Sequence, residues 1–333
     1  MKMKRVLILG GGFGGIYAAL EFEKRQDPDF EVTLISQDNF FLFTPMLHEV
    51  AASDLDLTHI VNPIRKMLRY VHFFEGEVRS VDVVKHEVVV SHGSDQHTHS
   101  LEYDDVVFAL GSVTNFYNIP GLQERAVTMK SLGDAIALRN RLIEHLEEAD
   151  TECAAGDREP LLTFVVAGGG FAGVETIGSI NDFLKEALPY YPSLKPEMVR
   201  VVLVHPGDFV LPELGENLGR YASRKLAQRG VEIHPNTKIK AVTRSGVELS
   251  DGTQMAIFAQ PLKKVKFAIL PVVLVSLEFR TGDVLRFKPP EVNKIRRRVI
   301  SSRPNVAPSL SWSSIQVPQK SSPKHPSRLS RPC

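Results

Sequence analysis

Residues 164–175 read FVVAGGGFAGVE, and residues 6–17 read VLILGGGFGGIY. Each stretch runs four apolar residues into three consecutive glycines, then a phenylalanine, then a further glycine two positions on. Working outward from the first, Val6–Leu9 has the wholly apolar character of a strand buried on both faces of a parallel sheet. Gly10, Gly12 and Gly15 satisfy G-x-G-x-x-G, Ile16, Ala19 and Leu20 follow at helical spacing, and EVTLIS (31–36) returns as a second buried strand. The other copy has the same grammar. LLTFVVA (161–167) is the strand, Gly168, Gly170 and Gly173 are the fingerprint, Val174, Ile177 and Ile180 mark the helix, and RVVLVH (200–205) returns. Two strand–turn–helix–strand units therefore predict an α/β chain with two Rossmann-like nucleotide sites.

The chemistry follows from the glycines. The first of each run permits the turn, the second lets a pyrophosphate approach the backbone, and the third allows the helix to pack closely on the strand. The free N–H groups at the helix start then face the phosphates. Two complete dinucleotide sites in one chain rarely serve one ligand, whereas two dinucleotides facing each other pass electrons. The repeat thus points to a flavin and a nicotinamide held together. At both sites the acid expected to hold the ribose hydroxyls is replaced, by Ser36 in the first and His205 in the second. Asp38 and Asp208 lie two or three residues further on. No arginine immediately follows either strand to receive a 2′-phosphate, which favours NADH over NADPH.

Composition bounds the rest. With 333 residues, 43% hydrophobic and 24% charged, the chain has the make-up of a globular protein long enough for two ordinary domains. A net charge of +1 hides an asymmetry: from Met255 onward there are 15 Lys+Arg against 3 Asp+Glu, and ten of the 21 prolines. Two cysteines, Cys153 and Cys333, form no CxxC pair, which suits a reducing compartment and excludes dithiol redox chemistry. The N-terminal apolar run is too short for a signal peptide, and FAILPVVLVSL (267–277) is too short to span a membrane. His86, His92, His97 and His99 cluster in and around the polar, turn-like SHGSDQHTHS (91–100), without the cysteine or carboxylate spacing of a closed site, so no metal is expected. No nucleic-acid partner is expected either.

Between the glycine runs lie NFFLFTPMLHEVA (39–51), DDVVFALGSVTNFYNIPG (104–121) and MKSLGDAIALRNRL (129–142). GGGFAGVETIG (168–178) and FVLPELGENLGRYASRKLAQRGVEI (209–233) complete the order. Taken together, over about residues 4–253, these segments closely resemble the type II NADH:quinone oxidoreductases, single-chain flavoproteins with two dinucleotide-binding domains. The resemblance implies that Gly10, Gly12, Phe13, Gly14 and Gly15 hold the FAD pyrophosphate. It places Thr44 and Pro45 beside the isoalloxazine, with Ala109 and Gly111 passing close to the flavin. Gly168, Gly170, Phe171 and Gly173 would bind NADH, and Glu175 would sit near both reacting rings, steering hydride transfer or relaying protons. From the residues alone, Glu175 reads equally well as a surface glutamate near a helix start. The implied activity is electron transfer from NADH through FAD to a membrane quinone, without proton pumping. Peripheral membrane association, on the cytoplasmic face of the inner membrane or with the chain free in the cytoplasm, belongs to the same expectation, and a homodimer is left open.

The domains read as residues 1–125 (N-terminal part of the FAD domain), 126–159 (linker helix and boundary), 160–253 (NAD(H) domain) and 254–333 (a low-complexity basic tail). EHLEEADTECAAGDRE (144–159) is expected to be a charged linker after a helix over 131–148, marking the domain boundary. The resemblance stops after ELSDGT (248–253), where a frame change or divergent replacement would explain the jump in charge and proline together. The tail is expected to be disordered, apart from one apolar strand within 267–279. RTGD (280–283) mimics a flavin-contacting G-D of the family out of its context. Without that returning segment the FAD domain is expected to be incomplete and the chain a poor enzyme. Two competing functions remain: a catalytically silent nucleotide-binding remnant, and a soluble ferredoxin- or rubredoxin-type reductase.

Overall fold

The computed structural model describes residues 3–258 and the strand Val272–Leu274. The disorder expected of the tail and the RTGD stretch lie outside those residues. The apolar run that ends at Leu9 forms the strand Lys4–Leu9, central in a parallel sheet whose order is His72–Glu75, Phe30–Ser36, Lys4–Leu9, Asp105–Phe108. Ile8 and Leu9 are fully buried because helices or further strands cover both faces, as expected of a doubly covered parallel strand. The helix Phe13–Arg25 follows Gly12 directly and buries Gly15, Ile16 and Ala19 against that sheet.

A second parallel sheet repeats the plan. Its order is Val127–Thr128, Val272–Leu274, Thr163–Ala167, Arg200–Val204, Val231–His234, and the helix Phe171–Ala187 buries Ile177, Ile180 and Leu184. The strand expected within 267–279 is thus present at its middle residues, next to the strand that carries the second glycine run. Antiparallel hairpins complete each half, 77–102 in the first and 239–256 in the second. The histidine cluster lies on the first of these, with His92 directly opposite His97.

The helix expected over 131–148 is present as Leu132–Thr151, and much of the charged linker expected after it is a second short helix, Ala155–Leu161. In the long helix the charges occupy one face: Glu144, Glu147 and Glu148 are exposed while His145, Leu146 and Ala149 are buried. Ser131 starts the long helix with a capping box, its hydroxyl accepting from the Asp134 N–H while Asp134 accepts from the Ser131 N–H.

One short element decides where the site forms. The helix Leu47–Ala51 buries Leu47, Val50 and Ala51 in the same apolar cluster as Leu138, Leu142, Ile177 and Ile180. Burying a leucine and a valine is worth about 1.5–3 kcal/mol each. This segment of the first half is therefore pinned between two helices of the second.

Candidate active site

The two glycine turns are built alike. Gly10 and Gly168 take left-handed φ angles of 106° and 109°, which L side chains avoid. Gly15 and Gly173 press against them: a Cβ on Gly15 would stand 1.7 Å from the Gly10 carbonyl oxygen, and one on Gly173 1.8 Å from that of Gly168. The middle positions differ in kind. A Cβ on Gly12 would meet nothing within 4 Å, and one on Gly170 only the Glu213 carboxylate at 3.7 Å. Both middle glycines thus face open space, at helix starts that no side chain caps and no acid crowds in the first turn. Uncapped N–H groups and a positive helix end beside open space suit a pyrophosphate.

The replaced acids have a structural role. A Cβ on Gly11 would meet the Ser36 hydroxyl at 2.5 Å, and one on Gly169 the His205 ring at 2.8 Å. His205 Nδ1 accepts from the Gly169 N–H at 3.1 Å, so the buried imidazole holds the second glycine loop from below. Burial lowers its proton affinity, which keeps Nδ1 free as an acceptor.

A cleft of about 1270 Å³ opens above the second glycine turn. Gly168, Gly170, Phe171, Glu175, Thr44, Pro45 and Gly111 are all among its lining. Thr44 and Pro45 sit in a 3-10 turn, Thr44–Met46, with Pro45 at its start, immediately before the pinned Leu47–Ala51 helix. Gly111, with φ of 74°, follows the Asp105–Phe108 strand. Residues 44–45 and 175 are thus brought to one cavity although more than a hundred positions separate them.

His205 also lines this cleft, whereas the remaining residues expected to hold a cofactor do not. Gly10, Gly12, Gly14 and Gly15 form the other turn, where Ala109 closes in: its carbonyl oxygen would lie 2.2 Å from a Cβ on Gly10. Phe13 stacks with Tyr17 and packs edge-on to Phe41. Gly173 lies beneath Gly168.

Two cleft residues escaped the sequence reading although both lie in the quoted segments. Lys130 Nζ donates to the Ser112 carbonyl and hydroxyl oxygens, each at 2.7 Å, and burial pulls its proton affinity down. His48 reaches toward Glu175, Nε2 to Oε2 3.7 Å, and its Nδ1 lies 3.0 Å from the Ser179 hydroxyl. A lone histidine in a short apolar helix carries no signal of a partner 127 residues away.

A family model described as pyridine nucleotide-disulphide oxidoreductase matches residues 4–264. The chain belongs to that family. This member has no CxxC, so dithiol chemistry finds no residues here. It is 35% identical over 261 residues to the type II NADH:quinone oxidoreductase Ndh of Mycobacterium tuberculosis, covering 76% of this chain and 55% of that protein. It is 33% identical over 251 residues to the external NADH-ubiquinone oxidoreductase 2 of Saccharomyces cerevisiae mitochondria, covering 73% and 45%. Among solved structures, NDH2 of Plasmodium falciparum in complex with NADH superposes with a TM-score of 0.73 at 21% identity, covering 83% of this chain and 55% of that one, which shows a shared fold. The chain spans about half the length of these curated relatives. Among the described residues, no helix is long and apolar enough to cross a membrane, and no group of three or more His, Cys, Asp or Glu is placed to hold a metal ion.

Proposed function

We propose that this chain is a flavin-dependent NADH dehydrogenase that passes electrons from NADH to a quinone, without proton pumping. The observation that carries the reading is the shared cleft: the second glycine turn and Glu175 line one cavity together with Thr44, Pro45 and Gly111. FAD would be held at the first glycine turn, by Gly10, Gly12, Gly14 and Gly15 with Phe13 at the helix start, and by Ala109 and Gly111 along its length. NADH would enter the cleft with its pyrophosphate on Gly168, Gly170 and Phe171, while Gly173 keeps the turn tight. Residues 1–125 and 160–253 serve as the two nucleotide domains, joined by the helical segment 126–159. The bound flavin supplies an acceptor for the nicotinamide hydride and a donor of two electrons.

The chain's own residues do the positioning. Lys130 holds Ser112, next to Gly111, by one hydrogen bond to its carbonyl and one to its hydroxyl, which steadies that part of the cleft lining. His205 accepts from the Gly169 N–H and so holds the glycine turn in place beside the cleft. Walls that keep two rings about 3–3.5 Å apart supply much of the rate of a hydride transfer. Glu175, half exposed, is the carboxylate that lines the cleft beside His48. Association with a quinone-bearing membrane surface, and any pairing of two chains, are carried by the likeness to the type II enzymes alone.

The test is optical. Purified protein should show an oxidised-flavin spectrum, bleach on anaerobic NADH, and recover on adding a short-chain quinone. A colourless protein that still binds NADH would identify the silent remnant instead, and bleaching without recovery on quinone but with recovery on ferredoxin would favour the soluble reductase.

A further inference from the structure

His48 stands between two carboxylates. Its Nδ1 lies 3.6 Å from Glu49 Oε1, and its Nε2 lies 3.7 Å from Glu175 Oε2. Glu49 shares the Leu47–Ala51 helix with His48, whereas Glu175 and Ser179 both belong to the Phe171–Ala187 helix. Glu175 and His48 line the cleft, whereas Glu49 lies outside its lining. The ring itself is largely buried, with 15% of its side chain exposed, against 34% for Glu49 and 43% for Glu175. Ser179 adds the piece that makes such a ring usable in either state. Its hydroxyl, 3.0 Å from Nδ1, accepts from an N–H or donates to a lone pair by rotating one bond.

We propose that Glu49, His48 and Glu175 form a proton path that leads from outside the cleft to its interior. The proposal rests on the function proposed above. Each turnover converts NADH, one proton from the medium and quinone into NAD⁺ and quinol. The hydride breaks from the nicotinamide carrying two electrons and one of the quinol's two protons, so the second must come from water. With NADH seated on the cleft wall, Glu175 loses its direct access to solvent, and a proton must reach it from behind. An imidazole does this by taking a proton at one nitrogen and releasing one from the other. A proton arrives at Nδ1 from Glu49, one leaves Nε2 for Glu175 and passes on to the acceptor being reduced, Glu49 regains a proton from solvent, and a flip of the ring with a turn of the Ser179 hydroxyl restores the starting state. Gaps of 3.6 and 3.7 Å close to hydrogen-bond length by small side-chain rotations, since both carboxylates are partly exposed.

Two acceptors separate proton delivery from electron transfer. Ferricyanide takes electrons alone, so NADH and two ferricyanides yield NAD⁺, two ferrocyanides and a released proton, with none delivered to the acceptor. His48→Gln and Glu49→Gln should lower the ratio of quinone to ferricyanide turnover at least fivefold, with Ser179→Ala between them and wild type. A second reading needs no turnover: the ¹⁵N resonances of the His48 ring, recorded in the full chain and assigned by loss in His48→Gln. Glu49→Gln should move the Nδ1 resonance most and Glu175→Gln the Nε2 resonance most. Wild-type protein that reduces neither acceptor refutes the proposed function, and the path with it. Protein active with ferricyanide whose turnover ratio is untouched by His48→Gln refutes the path alone, as do ring resonances that ignore both glutamates.

Discussion

At the scale of single residues, the glycines of one turn divide into two kinds, and substitution separates them. A Cβ on Gly170 meets only a carboxylate at 3.7 Å, so Gly170→Leu should fold and project its side chain into the cleft where the pyrophosphate is proposed to sit. A clash of ~1–3 kcal/mol corresponds to a loss of roughly 10- to 100-fold in NADH affinity, read by fluorescence titration. Unchanged affinity would remove the second glycine turn from NADH binding. Gly173→Ala has the opposite profile, because its methyl would stand 1.8 Å from the Gly168 carbonyl oxygen and the backbone must give way. It should lower stability by about 1–3 kcal/mol before any ligand is added, seen as a shift in the urea midpoint. Glu175→Gln keeps the size of the side chain and removes its charge. Turnover with quinone should fall by about 100-fold or more while the KM for NADH changes little, the pattern of a group used in the transition state. A raised KM with unchanged kcat would make Glu175 a binding residue only.

At the scale of elements, the long helix Leu132–Thr151 carries an ionisable group in the core. His145 is 1% exposed, its Nδ1–H donates to the Leu161 carbonyl at 3.0 Å, and its ring lies against Phe164 and Phe258. Burial, with the Arg141 guanidinium second, pushes the imidazole down to about 4 from the usual 6.5. The folded state therefore holds the neutral ring where the unfolded chain would already be protonated. The stability this contributes is complete above pH 6.5 and is lost progressively as pH falls toward 4, to a total of about 3 kcal/mol. Urea denaturation at pH 7.5, 5.5 and 4.5 should show that decline, and His145→Phe should flatten it, though at a lower stability at pH 7.5 because the Leu161 carbonyl loses its donor. An equal pH slope in both proteins would place the acid sensitivity elsewhere. The same helix shows how a charged stretch can be helical. A high count of acidic residues reads as a solvated connection unless the apolar positions between them are placed on a helical face, where His145, Leu146 and Ala149 form the inner stripe.

At the scale of the whole molecule, the strand Val272–Leu274 lies inside the second sheet, hydrogen-bonded to Thr163–Ala167 on one side and Val127–Thr128 on the other. An interior strand links the short Val127–Thr128 strand to the rest, so its loss would open the sheet beside the glycine turn. Limited proteolysis of the full chain should therefore leave a resistant fragment whose C-terminus lies beyond Leu274, measured by intact mass. A fragment ending near residue 254, where the compositional break begins, would show that the sheet closes without that strand.

The two nucleotide units were legible in the amino-acid order alone. A strand–turn–helix–strand unit is a local arrangement in which hydrophobic period, glycine spacing and helix start all lie within about forty residues, and Gly10, Gly15, Gly168 and Gly173 take the roles their spacing implies. Family likeness added Thr44, Pro45 and Glu175 as residues of one site, but not the contacts between them. Only the tertiary structure decided that the Leu47–Ala51 helix is clamped in the second half's core, and this sets Thr44, Pro45 and His48 on the cleft with Glu175. It also decided that Ser36 and His205 pack under the glycine loops where ribose-binding acids were expected. The physical reason is range. Backbone propensity and periodicity act between near neighbours, whereas a cleft is made by side chains whose meeting depends on how separate apolar faces are buried together.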